Sequence, residues 1–165
     1  MEECFAKLLN GDKSAFEYIY KELKTPVYTI IYRIVQSREL AEDIMQDVFV
    51  KIYSAPPAQE VKNLRAWVFS IAHNAAIDAL RKQREHCDID ETEQNGSVND
   101  LAQSMDIEKA LSSLPCEERE ILSLHLNAGL GFAEIADIMS LSLSAVYRRY
   151  RRALKTMKNL LEVSV

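Results

Sequence analysis

The sequence predicts an all-α protein of two small helical domains joined by a flexible acidic linker. Three observations predict it. The 165 residues include only four Gly and four Pro, too few turn-formers for a sheet of short strands. Apolar residues make up 48% of the chain and recur at helical spacing on both sides of its middle. Between those halves, residues 87–106 carry six acids and no Lys or Arg. That stretch has little apolar periodicity, as expected of a solvated linker. The expected boundaries are residues 1–86 for the first domain, 87–105 for the linker and 106–165 for the second domain.

Composition narrows the function classes. The opening MEECFAKLLNGDKS lacks a basic segment followed by an apolar run, so no signal peptide is expected. No stretch approaches the roughly 20 apolar residues of a membrane span. A cytoplasmic protein without membrane insertion is the expectation. The cysteines Cys4, Cys87 and Cys116 are odd in number and scattered, which fits free thiols rather than a disulfide framework. His86–Cys87 has no second ligand pair nearby, so no metal and no cofactor are expected. The chain also lacks a phosphate-cradling Gly loop and a nucleophile–base pair, which argues against an enzyme and against a small-molecule substrate.

A net charge of −5 argues against a nucleic-acid partner until its distribution is read. Residues 1–86 are neutral overall and residues 107–165 carry a net +1. Arg148, Arg149, Arg151, Arg152, Lys155 and Lys158 form one run, with no acid between Asp137 and Glu162. The acidic stretch between the halves reads as a solvated linker. The alternative is that it keeps the basic helix off non-specific DNA.

Each element follows from local pattern. Residues 13–23 carry Phe16, Ile19, Tyr20 and Leu23 at helical spacing. Pro26 is expected to break that helix or restart it as a second one over 27–35. Ser37 is a candidate N-cap for a third helix, with Leu40, Ile44, Val48 and Ile52 along one face. Pro56–Pro57 ends it and opens a loop to Lys62. A fourth helix is expected over 63–84, with Leu64, Trp67, Val68, Ile71 and Ala75 as its apolar stripe. Beyond the linker, a short helix over 106–113 should turn Ile107, Ala110, Leu111 and Leu114 inward, and Pro115 punctuates it. The next, over 117–126, opens with Glu117, Glu118 and Glu120, which suit a helix N-terminus. Asn127–Ala128–Gly129 closes that helix.

The last two helices carry the strongest local signal. Residues 132–139 form a short amphipathic helix, and Ser140–Leu141–Ser142 separates it from a longer one over 143–161. Ser142 is a candidate cap. The longer helix should turn Val146 inward, with Leu143, Tyr150 and Leu154 near the same face. This is helix-turn-helix geometry, in which the second helix can enter a DNA major groove. Tyr147, Arg148, Arg151 and Arg152 share one side of that helix. Arginine's planar fork suits guanine and phosphate.

The stretch GFAEIADIMSLSLSAVYRRYRRALKTM, residues 131–157, resembles the sigma-four domain of extracytoplasmic-function (ECF) sigma factors of the sigma-70 family. The lead-in LSSLPCEEREILSLHLNAGLGFAEIA is similar to the same domain, with Leu114–Pro115, Arg119 and Leu122 in place. Ser140 stands where a turn glycine is usual and Ala145 where Thr is usual. Tyr147 and Arg148 stand where Lys and Ser are common. The resemblance implies that Tyr147, Arg148, Arg151 and Arg152 face the bases of a minus-thirty-five element. It places Ser142, Ser144 and Arg149 near phosphates.

The N-terminal half resembles the sigma-two domain, a helical bundle. AEDIMQDVF, residues 41–49, looks like its polymerase-binding helix, which implies core RNA polymerase contacts by Glu39, Asp43, Gln46, Asp47 and Val50. Those residues lie opposite Ile44 and Ile52, and an acidic and amide stripe can dock on basic partner helices. LRAWV (64–68), IAHN (71–74) and DALRK (78–82) resemble the helix that engages the minus-ten element. The resemblance implies DNA contacts by Lys62, Asn63, Arg65, Trp67, Arg81 and Lys82, where melting needs basic groups and a stacking surface. Trp67 reads either as core or as a base-stacking ring. His73 reads as structural.

The implied function is an alternative sigma factor that directs core polymerase to promoter DNA, with an anti-sigma factor as a further partner by family analogy. Two other readings compete. A stand-alone helix-turn-helix regulator would need a dimerisation element, and no heptad seam supplies one. A sigma-like interaction module without promoter reading is the other.

Overall fold

Helix α1, Lys13–Val35, runs unbroken through Pro26, where the sequence predicts a break. Proline removes one backbone hydrogen bond and crowds the preceding turn, at a cost of about 3 kcal/mol. The apolar stripe nevertheless stays in phase across it. Ile19 and Leu23 on one side, and Val27, Ile30, Ile31 and Ile34 on the other, are all buried. Each such side chain stabilises by about 1.5–3 kcal/mol, so packing on both sides outweighs the local penalty. The computed structural model describes residues 7, 13–55, 61, 63–86 and 102–163. Lys62, Pro56–Pro57 and most of the expected linker lie outside the described residues.

Gln36, at φ 57°, reverses the chain after α1. Its N–H bonds to the Tyr32 carbonyl at 2.8 Å, and its side-chain amide donates to the Arg33 carbonyl at 3.0 Å. Helix α2, Arg38–Ser54, follows with Ser37 as its N-cap, the Ser37 hydroxyl accepting from the Leu40 N–H. Ile44, Val48, Phe49 and Ile52 are buried against the bundle. Phe49 meets the Tyr20 ring at 4.8 Å, and Tyr53 meets Phe16 at 5.0 Å, which seals α2 against α1.

Helix α3 is Leu64–His86. Asn63 caps it, its side-chain oxygen accepting from the N–H of Arg65 at 2.9 Å and of Ala66 at 3.3 Å. Its buried face is Leu64, Val68, Phe69, Ala72 and Ala76. The expected stripe is thus rotated. Trp67, Ile71 and Ala75 flank the core half-buried, because α3 must meet both α1 and α2 and turns its small alanines and Phe69 into that corner.

The chain divides into two compact units, Met1–Thr92 and Glu93–Val165. In the second, α4 is Ala102–Ser112, so the last residues of the expected linker are helical. Ala110, Leu111 and Leu114 are buried, whereas Ile107 is exposed, contrary to expectation. Helix α5 is Cys116–Leu126, α6 is Phe132–Met139 and α7 is Leu143–Val163. The core here joins Leu111, Leu114, Leu122 and Ala153, with Tyr150 and Met157 packed against it. Leu143 and Leu154 are exposed, so the inward face of α7 is Val146, Ala153, Tyr150 and Met157 rather than the leucines. No helix among the described residues is long and apolar enough to cross a membrane.

Replacing Pro26 by Ala restores a backbone donor inside a helix already committed by packing. It is expected to raise the stability of the first unit by about 2 kcal/mol. The check is urea unfolding followed by the fluorescence of Trp67, the single tryptophan of the chain, which reports this unit.

Candidate DNA and partner interfaces

The turn between α6 and α7 is built by local chemistry. Glu134 reaches back so that its carboxylate accepts from the Gly131 N–H at 2.8 Å, which fixes the start of α6. Ser140 takes the left-handed conformation, φ 53° and ψ 42°, and the Leu141 N–H bonds to the Ala136 carbonyl at 2.9 Å. That is the helix ending usually made with glycine. Serine makes the same turn at a cost of about 1–2 kcal/mol. Ser142 then caps α7, its hydroxyl accepting from the Ala145 N–H at 3.2 Å.

Aromatic rings hold α7 against the shorter helices. His125 stacks on Phe132 at 4.5 Å and 18°, and its ring nitrogen Nδ1 hydrogen-bonds the Leu130 carbonyl at 2.9 Å. Phe132 meets Tyr150 at 4.9 Å and Tyr147 at 4.5 Å. One ring cluster thereby ties together α5, α6 and α7.

The arginines of α7 divide into two groups. Arg148 and Arg151 are exposed, as are Ser144 and Lys155 beside them. Arg149 and Arg152 are tied to α5. The Arg149 guanidinium pairs with the Glu117 carboxylate at 2.6 Å, and Arg152 pairs with Glu118. Glu118 is only 1% exposed, so removing Arg152 would leave a buried carboxylate without this ion pair. The Arg152 side chain remains 62% exposed. Arg149 and Arg152 thus carry an ion pair to α5 that Arg148 and Arg151 lack. The local pattern of Glu117 and Glu118 points only to a helix N-terminus. Their partners lie more than 30 residues away, beyond the reach of any local pattern.

Cys116 caps this acidic corner. Its thiol donates to the Glu120 carboxylate at 2.9 Å. Burial, with the hydrogen bond and charge of Glu120 behind it, pushes the thiol up to about 11. Its neutral form is therefore favoured in the fold. That contribution to stability is intact below the ordinary thiol range and is lost as pH rises toward 11.

In the first unit, Glu39, Asp43, Gln46, Asp47 and Val50 all lie exposed on α2. A groove of about 470 Å³ runs between α2 and α3. Leu40, Ile44, Ile71 and Ala75 line it, with Asp43 and Asp47 on one side and Asp78 and Lys82 on the other. This groove joins the acidic face to apolar surface, and the sequence pattern did not reveal it. Of the expected minus-ten residues, Lys62 lies outside the described residues, and the Asn63 side-chain oxygen serves as the cap of α3. Arg65 and Trp67 are half-buried near the start of α3. Arg81 pairs with Asp78 at 3.2 Å, and Lys82 is exposed. The structure thus separates the expected set into a group at the N-terminal end of α3 and a group toward its other end.

The geometry defines a class first: a unit whose described residues pack as the helices α1, α2 and α3 with an acidic, partly apolar face, and a helix-turn-helix unit with a basic outer face. The family comparisons agree with it. Residues 19–86 match the model for sigma-70 region 2, and residues 104–157 match that for sigma-70 region 4. The chain is 28% identical to the ECF RNA polymerase sigma factor SigM of Bacillus subtilis, over 86% of this chain and 93% of that protein. It is 25% identical to the ECF sigma factor SigK of Mycobacterium bovis, over 99% and 95%. Two solved structures share the fold. One is CnrH in complex with the cytosolic domain of CnrY, with a TM-score of 0.71 at 21% identity over 99% of this chain and 98% of that one. The other is the sigma factor RpoE with the anti-sigma factor NepR from Bartonella quintana, with a TM-score of 0.73 at 24% identity over 91% and 98%. The chain belongs to the sigma-70 family, in its ECF branch.

Arg152→Ala should destabilise the second unit by about 2 kcal/mol by stranding the buried Glu118 carboxylate. The same change in a Glu118→Gln background should cost well under half of that, as read from hydrogen exchange of α7 amides. Alkylation of Cys116 by iodoacetamide at pH 8 should be at least about tenfold slower than that of a free thiol and should rise only toward pH 11.

Proposed function

We propose that this chain recruits core RNA polymerase and aims it at promoters through two separate contacts. In the first unit, the exposed stripe Glu39, Asp43, Gln46, Asp47 and Val50 on α2 docks on a basic helical surface of the polymerase. Charge complementarity there sets partner choice and approach. The N-terminal end of α3, with Arg65 and Trp67, and the exposed bases Arg81 and Lys82 engage the opened minus-ten strand. In the second unit, α7 enters the major groove of the minus-thirty-five duplex. Arg148, Arg151 and Tyr147 face bases, and Ser142 and Ser144 sit near phosphates at the helix N-terminus. Arg149 and Arg152 approach the backbone while anchored on Glu117 and Glu118.

The observation that carries this reading is the order of the two sigma-70 matches, with an acidic docking face in the first and a free basic helix face in the second. Segregating the charges in this way lets one net-acidic chain hold a protein partner with one unit and DNA with the other. Its site of action is polymerase in the cytoplasm. CnrH and RpoE were each solved bound to a partner, CnrY in one case and the anti-sigma factor NepR in the other. By that likeness we extend the proposal to an anti-sigma factor that covers the docking faces and can hold the protein at a membrane.

Run-off transcription with purified core polymerase tests the reading. The chain should support promoter-specific initiation only when core is present, which separates it from a stand-alone regulator. Arg148→Ala combined with Arg151→Ala should lower minus-thirty-five-dependent transcription at least about tenfold while core binding persists. Asp43→Lys with Asp47→Lys should weaken core capture in a pull-down and leave the helical content unchanged. Wild-type transcription by the first pair, or wild-type capture by the second, contradicts the assigned faces.

A further inference from the structure

The basic face of α7 has an apolar border with no place in the charge argument. Leu143 is 46% exposed, Tyr147 47% and Leu154 43%. At i, i+4 and i+11 they share one side of the helix, beside the outward Arg148 and Arg151. Val146, Ala153, Tyr150 and Met157 supply the inward contacts of this helix, so Leu143 and Leu154 lie outside the core and Tyr147 at its edge. Tyr147 is also held in place. Its ring leans on Phe132 at 4.5 Å and 45°, and Phe132 is stacked on His125, whose ring is fixed by the Leu130 carbonyl. A large side chain braced in this way, yet half-exposed at the start of a groove-entering helix, is preorganised for contact.

A major groove offers this border one chemical match. The base edges present hydrogen-bond donors and acceptors, and the single apolar group among them is the C5-methyl of thymine. We propose that Tyr147, with Leu143 one turn before it, is a specificity-determining pair that packs against a thymine methyl in the minus-thirty-five element. This rests on the reading of α7 as the duplex-reading helix. The Tyr147 ring supplies the surface and its hydroxyl is not required. Arg148 and Arg151 supply the polar contacts on the adjoining base pairs.

The test uses holoenzyme reconstituted from the full chain and core polymerase. Run-off transcription over templates randomised across the minus-thirty-five region first yields the preferred element. Each thymine on either strand is then replaced in turn by deoxyuridine, which keeps every hydrogen-bonding group and lacks only the methyl. The wild-type protein should lose about fourfold at one position, the worth of one buried methyl. Tyr147→Phe should keep that loss. Tyr147→Ala should transcribe more weakly and be indifferent to the replacement. The wild-type scan needs no variant, so a poorly folded Tyr147→Ala protein leaves the test intact. The inference is overturned if the preferred element has no thymine on either strand, if deoxyuridine is neutral everywhere, or if the penalty persists in folded Tyr147→Ala. Arg148→Ala in parallel separates the two levels. Lost transcription there with neutral deoxyuridine removes the thymine contact and keeps the reading helix, and indifference to both removes both.

Discussion

A carboxylate almost wholly withdrawn from water governs the second unit. Glu118 sits at the start of α5, 1% exposed, and a charge so placed needs a partner. Arg152 of α7 provides it, and Glu117 with Arg149 repeats the arrangement at the surface. The helix that presents the basic face is therefore docked on α5 by its own arginines. The rings of His125, Phe132, Tyr147 and Tyr150 fix the other side. Electrostatic and aromatic contacts together set which residues of α7 remain exposed.

In the first unit, continuous apolar burial plays the corresponding part. The stripe of α1 crosses Pro26 without losing phase, and α2 and α3 close over it. With Ile44, Val48 and Ile52 committed to that core, Asp43, Asp47 and Val50 must point away from it. The outward acidic face is thus a consequence of the inward apolar one. The groove beside it adds apolar surface to the charge, a combination suited to a protein partner rather than to a nucleic acid.

The two faces carry opposite charge, and this explains how a chain of net charge −5 serves a nucleic-acid function. Total charge describes solubility and long-range approach, whereas binding depends on the few groups that a fold leaves unpaired. Ion pairing engages Arg149 and Arg152 with α5, although Arg152 still reaches solvent, and leaves Arg148, Arg151 and Lys155 exposed beside them. The exposed face of α7 is therefore more mixed with apolar groups than the run of basic residues implies.

Much was legible in the sequence because it is encoded locally. Helical spacing gave the helices, Ser37 and Ser142 announced their caps, and Ser140–Leu141–Ser142 marked the turn of the helix-turn-helix. The exposed acids of α2 followed from the same periodicity. The departures came where a local rule met a distant contact. Pro26 predicts a break from its own chemistry, and only burial against α2 and α3 overrides it. Ile107, Leu143 and Leu154 look inward by hydrophobicity, yet the neighbouring helices supply no surface for them. Trp67 and the α3 stripe depend on which of two helices α3 faces. The sequence by itself determined the two-part helical organisation and the segregation of charge, because both depend on near-neighbour spacing. Only the tertiary structure decided which arginines of α7 are free, because the carboxylates that claim the others lie more than 30 residues away and meet them only when α5 and α7 pack.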